Sequence, residues 1–248
     1  MILAVDIGNT TTSFGVFNGR RFVRTLSVPT RAWRSERVID RRLRGSRGAE
    51  EAIVCSVVPW ATARVAKALR AAGYGRVRIV GRDVKVPLKN RYTYPEQVGQ
   101  DRLVGAYAAW TIFGKSRRDC IVADFGTAIT IDLVTGRGEY KGGVIAPGLE
   151  ISLEALATRT ALLPKVELKE PPELLGRDTA SSIRSGILHG CVALCDGLIT
   201  DLKRRYAPQA VVVATGGAGA IIVKYAKTIQ HLRPHLVLEG LSQLASIR

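Results

Sequence analysis

Two short segments, placed 118 residues apart, constrain the fold of this chain more than any other feature. They are Val5-Asp6-Ile7-Gly8-Asn9-Thr10 and Ala123-Asp124-Phe125-Gly126-Thr127-Ala128. In each, an apolar run of strand length ends in Asp-x-Gly, a short turn follows and a second apolar run leaves. Runs joined by so few residues pair antiparallel. The first copy continues through an Asn18-Gly19 turn, a strong hairpin signal, into Arg21–Val28 and stops at Pro29. The second runs Ile129–Val134, turns at Thr135-Gly136, continues through Glu139–Ile145 and closes at Pro147-Gly148. The same order twice in 248 residues is an internal duplication of hairpin-first α/β domains. The boundary falls in the basic loop Lys115–Arg118, which gives domains 1–117 and 118–248.

The remaining elements alternate in the same spirit. Spacing predicts helices at Ala32–Leu43, Trp60–Ala72, Gln100–Phe113, Glu150–Thr158, Ser181–Tyr206 and Ala220–Lys227. Further strands are expected at Ala52–Val58, Val77–Val80 and Ala210–Ala214, with Lys85–Gln97 irregular. No apolar stretch approaches the ~20 residues that cross a bilayer. The N-terminus lacks a basic n-region with a long apolar stretch, so a cytoplasmic protein with no membrane partner is expected. The cysteines Cys55, Cys120, Cys191 and Cys195 lack C-x-x-C spacing and read as reduced thiols, and His189, His231 and His235 form no zinc pattern with them.

Charge raises a different question. The chain carries +16, and +15 of that lies in residues 1–118. Arg20–Arg47 alone holds ten Arg against Glu36 and Asp40. A basic half suggests nucleic acid or a regulatory partner. Aromatic residues make up only 6%, and no helix-turn-helix, zinc-finger or RNP pattern appears, so a specific nucleic-acid partner is not expected.

The Asp-x-Gly turns suit phosphate. A Gly-containing turn between strands presents backbone N–H groups, and Asn9, Thr10, Thr11, Thr12 and Ser13 add polar side chains. An aspartate beside it, Asp6, can hold a hydrated divalent ion that bridges phosphate oxygens. Two rival nucleotide motifs fail. Gly114-Lys115-Ser116 would need a glycine at 109, where Ala109 stands, to be a P-loop. Gly217-Ala218-Gly219 would need a third glycine where Ile222 stands. Thr215–Gly219 instead reads as a close-approach loop before a helix, suited to an adenosine or phosphate contact.

Further short motifs accompany these turns in order. They are Gly99-Gln100-Asp101-Arg102, Thr130 with Asp132, Gly142–Gly148, Thr160–Pro164, Gly176-Arg177-Asp178-Thr179, Gly186, Gly190 and Thr215-Gly216-Gly217. Together they resemble the acetate and sugar kinase, heat-shock ATPase and actin superfamily, and within it the type III pantothenate kinase family, over nearly the whole chain. The resemblance implies two duplicated ribonuclease H-like (actin-like ATPase) domains, each a mixed sheet with flanking helices, with a cleft between them. It implies ATP-dependent phosphorylation of pantothenate, the first step toward coenzyme A, with Mg²⁺ and a monovalent cation, K⁺ or NH₄⁺, in a homodimer with the substrate pocket at the subunit interface. Asp6, Ile7, Gly8, Asn9, Thr10, Thr11, Thr12, Ser13 and Thr127 match its ATP contacts, and Asp6 its magnesium site through water. Asp101 matches its base. Tyr92, Gly99, Gln100, Asp101, Arg102 and Thr179 match its pantothenate site, and Asp124 its monovalent-cation ligand.

Elementary chemistry agrees with the central assignments. Asp101 near a helix N-terminus is held ionised, as a base requires, and Arg102 suits a substrate carboxylate. Tyr94, Gln97 and Gln100 depart from the family pattern and are expected to crowd the substrate loop. Two alternatives compete: a sugar kinase of the same superfamily, and a nucleic-acid-binding or regulatory protein on the same fold.

Overall fold

The computed structural model describes residues 1–19, 21–34, 50–114, 117–170 and 173–247. The chain divides into two compact units, Met1–Ile112 with His235–Arg248, and Phe113–Pro234. Each is an α/β unit with a mixed sheet.

In the first unit the strands are β1 (Ile2–Ile7), β2 (Thr11–Asn18), β3 (Arg21–Pro29), β4 (Glu51–Ser56) and β5 (Arg76–Ile79). They run in the order β3-β2-β1-β4-β5, with β2 antiparallel to both β1 and β3, β4 parallel to β1 and β5 parallel to β4. β1 is apolar almost throughout because both of its faces are covered. Leu3, Val5 and Ile7 pack on one face with Ala61, Val65 and Leu69 of α1 (Pro59–Ala71). Pro59 opens that helix, where its missing N–H costs nothing. Ala4, Ile53 and Cys55 face the other way, against Val104 and Tyr107 of α2 (Gln100–Phe113) and against Leu238 and Leu241 of a C-terminal helix.

The second unit repeats the plan. β6 (Cys120–Phe125), β7 (Ala128–Val134) and β8 (Glu139–Pro147) are antiparallel neighbours. β9 (Val211–Thr215) lies parallel to β6, and the two-residue β10 (His231–Leu232) lies parallel to β9. The order is β8-β7-β6-β9-β10, the same as in the first unit with the same strand senses. After β8 come α3 (Leu149–Arg159) and α4 (Thr179–Tyr206). Asp178 caps α4: Ser181 N–H donates to its Oδ1 at 2.9 Å. By length and composition α4 is the one described helix that would span a bilayer. It nonetheless places Leu188, Val192, Cys195 and Ile199 in the unit's core with Phe125, Ile131 and Val212.

Several sequence expectations change. Of the helix predicted over 32–43, residues 35–43 lie outside the described residues, and Thr30–Arg34 is a 3-10 turn. Half of the Arg-rich stretch 20–47 and residues 115–116 of the expected boundary loop also lie outside them. The helix expected over 220–227 stops early, as α5 (Gly219–Ile222). Asp196 of α4 removes its continuation, accepting from Lys227 N–H at 2.9 Å and Thr228 N–H at 2.9 Å. Past it, α6 (Leu236–Ala245), unforeseen in the sequence, packs in the first unit although a boundary at 117/118 would place it with the second half. The cysteines are free thiols.

Candidate active site

The first Asp-x-Gly turn spans Gly8-Asn9-Thr10 between β1 and β2. It closes through Gly8 N–H donating to the Thr11 carbonyl at 3.0 Å. Asn9, Thr10 and Thr11 are exposed, while Asp6, Gly8 and Ser13 are half-buried. The Ile7 side chain is core. The Thr12 hydroxyl is buried against the Thr30 hydroxyl at 3.0 Å, and Ser13 Oγ lies 3.0 Å from Ser27 Oγ. The predicted nucleotide residues therefore divide. Asp6 and the turn 8–11 are open to solvent in whole or part, and the Ile7 and Thr12 side chains are buried beneath them.

Asp6 stands at the carboxyl end of β1, level with Cys55 in the parallel β4. Cys55 is fully buried, and its thiol is pushed well above the usual range by burial first, then by the charges of Asp6 and Asp101. Asp6 and Asp101 thus both act on this thiol, and both belong to the first unit. Asp101 stands in the first turn of α2, where the helix dipole favours a negative charge. Its Oδ1 accepts from Arg102 N–H at 2.8 Å. A Cβ on Gly99 would lie 2.5 Å from the same oxygen. Glycine at 99 therefore leaves room for the carboxylate. Cys55 carried no sequence signal beyond its place in an apolar strand.

Tyr92, Gly99, Gln100, Asp101 and Arg102 are all half-buried members of this first unit. Asn90 orders the approach: its Oδ1 accepts from Tyr92 N–H at 3.0 Å and its amide donates to the Pro95 carbonyl at 3.2 Å. The expected crowding does not arise within the described loop. Tyr94 is 57% exposed and Gln97 is also exposed. The Gln100 carboxamide packs over Gly81, where a Cβ would meet its Cδ at 3.0 Å.

The second turn is one residue shorter. Gly126 N–H donates to the Ala128 carbonyl at 3.2 Å, and Gly148 N–H donates to the Thr127 carbonyl at 3.1 Å. Asp124, next to last in β6, is half-buried, level with Thr130 on one side and Thr215 on the other. Gly216, at φ +89°, passes directly over it; a Cβ there would overlap Asp124 Oδ1 and lie 2.7 Å from the Phe125 backbone. The close approach expected of loop 215–219 is thus to Asp124. The helix after it has four residues, too short for an anion site at its N-terminus. Asp132, 2% exposed, accepts from the Tyr140 hydroxyl at 2.8 Å. Thr179 also belongs to this unit. It is exposed at the start of α4, on the rim of a cavity of about 660 Å³ lined by Leu156, Leu163, Arg177 and Ile183.

Among the described residues no three His, Cys, Asp or Glu side chains cluster as a metal site. One carboxylate beside a phosphate-binding turn is nevertheless the donor set magnesium uses when it arrives on a nucleotide. A turn with exposed polar side chains, a carboxylate beside it and a second carboxylate at a helix N-terminus are groups of the kind phosphoryl transfer uses, since that reaction depends on positioning and charge. The fold and these groups define an α/β kinase. The family model for type III pantothenate kinase matches residues 2–201. The chain is 38% identical to type III pantothenate kinase 1 of Symbiobacterium thermophilum, over 97% of this chain and 94% of that one. It is 36% identical to the type III pantothenate kinase of Anaeromyxobacter sp. (strain K), over 97% of each. A Baf family protein from Campylobacter jejuni shares the fold with a TM-score of 0.58 at 17% identity, over 98% of this chain and 95% of that one. The chain belongs to the type III pantothenate kinase family.

Proposed function

We propose that Asp101 is the base of the reaction and that the turn after Asp6 holds the nucleotide phosphates. The reaction itself is that of the family: ATP-dependent phosphorylation of pantothenate, at the entry to coenzyme A synthesis. The hydroxyl oxygen of pantothenate attacks the γ-phosphorus, its proton passes to the Asp101 carboxylate, and ADP leaves. The observation that carries this reading is a carboxylate at each of two places in the first unit: Asp6 at the end of β1 beside the Gly8 turn, and Asp101 in the first turn of α2, where Gly99 leaves room for it. Arg102, next to the base, suits the carboxylate of pantothenate. Tyr92, Gly99, Gln100 and Thr179 complete the proposed substrate contacts.

Asn9, Thr10, Thr11 and Ser13 contact the ATP phosphates in this proposal, and Thr127 adds a contact from the second turn. Asp6 would hold Mg²⁺ through water, which would supply neutralising charge at the phosphates, and Asp124 would hold K⁺ or NH₄⁺. The bare Gly216 backbone over its carboxylate supports this, since a side chain would fill the space. The two units read as copies of one actin-like ATPase domain, supported by their identical strand order. The protein is proposed to work in the cytoplasm as a homodimer.

The test is a coupled ADP-release assay with pantothenate and a panel of sugars, with and without potassium. Turnover with pantothenate that depends on Mg²⁺ and rises with potassium supports the whole reading. Turnover with a sugar alone overturns the substrate, and indifference to potassium overturns the Asp124 assignment.

A further inference from the structure

The residue after the strand-ending proline pins the turn in both units. Thr30 N–H donates to the Thr10 carbonyl at 2.8 Å, and Gly148 N–H donates to the Thr127 carbonyl at 3.1 Å. There the two units part. Gly148 has no side chain and sits directly on the short second turn, where a Cβ would overlap the Thr127 carbonyl. The first turn is one residue longer, and the Thr30 side chain occupies the extra span. Its hydroxyl donates to the Gly8 carbonyl at 2.7 Å and lies 3.0 Å from the Thr12 hydroxyl. Thr30 and Thr12 are both fully buried. Nothing in the sequence singles out Thr30, which lies between Pro29 and the helix expected over 32–43.

The direction of these bonds matters. In a planar trans peptide the carbonyl and the following N–H point opposite ways, and the described chain has no cis peptide. Thr30 draws the Gly8 and Thr10 carbonyls inward, which turns the N–H groups of Asn9 and Thr11 outward. Outward amides are what an anion-binding turn requires. Thr30 is itself fixed at the head of the 3-10 turn Thr30–Arg34, whose Trp33 and Arg34 carbonyls accept from Arg64 of α1 at 3.1 and 2.9 Å.

We propose that Thr30 is a positioning residue for the nucleotide: without touching ATP, it aims the amides of the first turn at the phosphates. This rests on the reading that the turn binds ATP. Steady-state kinetics should compare Thr30→Val, which keeps the shape and removes the hydroxyl, with Thr30→Ser, which keeps the hydroxyl. Thr30→Val should raise KM for ATP about tenfold, the scale of a lost buried hydrogen bond, with KM for pantothenate within about twofold. Thr30→Ser should restore the wild-type value. If Thr30→Val does not fold, the smaller Thr30→Ala carries the same expectation. Equal rises in both KM values, or a lower Tm with unchanged KM for ATP, would reduce Thr30 to a merely structural role. Asp6→Asn separates the two levels. If it leaves ATP binding unchanged, the phosphate-turn reading fails. If it weakens ATP binding while Thr30→Val does not, only the brace fails.

Discussion

Gly216 offers a sharp perturbation because its neighbour is a built-in control. Gly216 has φ +89°, and a Cβ there would overlap Asp124 Oδ1 and lie 2.7 Å from both Phe125 N and Phe125 C. Gly217 has ordinary φ and nothing within 4 Å of the same construction. Gly216→Ala meets two costs. Positive φ disfavours an L side chain by roughly 1–2 kcal/mol, and pressing a methyl into backbone that cannot rotate away costs about 1–3 kcal/mol. The sum is about 2–5 kcal/mol. At about 2–4 °C per kcal/mol for a chain of this size, the melting temperature falls by roughly 4–20 °C. Gly217→Ala should melt within about 2 °C of the parent. The assay is thermal unfolding by circular dichroism, paired with the potassium dependence of turnover. Because the methyl displaces Asp124, Gly216→Ala should also raise the half-saturating potassium concentration. Equal melting temperatures for the two variants would refute the packing argument. A large drop in stability with unchanged potassium response would detach Asp124 from the cation.

Two further outcomes follow from buried or capped carboxylates. Tyr140→Phe leaves the buried Asp132 without the hydroxyl that donates to it, and should cost about 1–3 kcal/mol in urea unfolding; an unchanged midpoint would contradict that role. Asp178 is held below the usual carboxylate range by the Ser181 N–H first and the Ser181 hydroxyl second. Because its folded value is the lower one, its contribution is present above the unfolded value of about 4 and vanishes as pH falls through the folded value. Asp178→Ala should therefore destabilise α4 at neutral pH, and the gap from the parent should close in acid. A gap that widens in acid would reverse the assignment.

The hairpin-first plan was legible because its signals are local. Asn18-Gly19 marks a turn by backbone preference, and Asp6-x-Gly8 and Asp124-x-Gly126 mark the strand ends where the two turns fall. Asp101 was legible for the same reason, as an acid at the start of an apolar helix. What escaped depends on distant partners. Thr30 looks like any residue after a proline until β3 brings it beneath the turn at Gly8. Cys55 is an ordinary strand residue until the parallel register sets it beside Asp6. The helix expected over 220–227 has the right spacing, but Asp196, more than thirty positions earlier, takes the amides of Lys227 and Thr228. Leu236, Leu238, Leu241 and Leu244 do carry helical spacing, yet only the fold shows that their helix covers β1 and β4 of the first unit.

A single-turnover measurement of phosphoryl transfer to pantothenate tests the proposed role of Asp101 most directly. With enzyme and ATP premixed and pantothenate added, Asp101→Asn should slow transfer by about a hundredfold or more, the range for loss of a general base. KM for ATP should stay within about twofold, since Asp101 acts on the acceptor hydroxyl. Transfer within about tenfold of the parent rate would show that the proton leaves by another route and would contradict the proposed site.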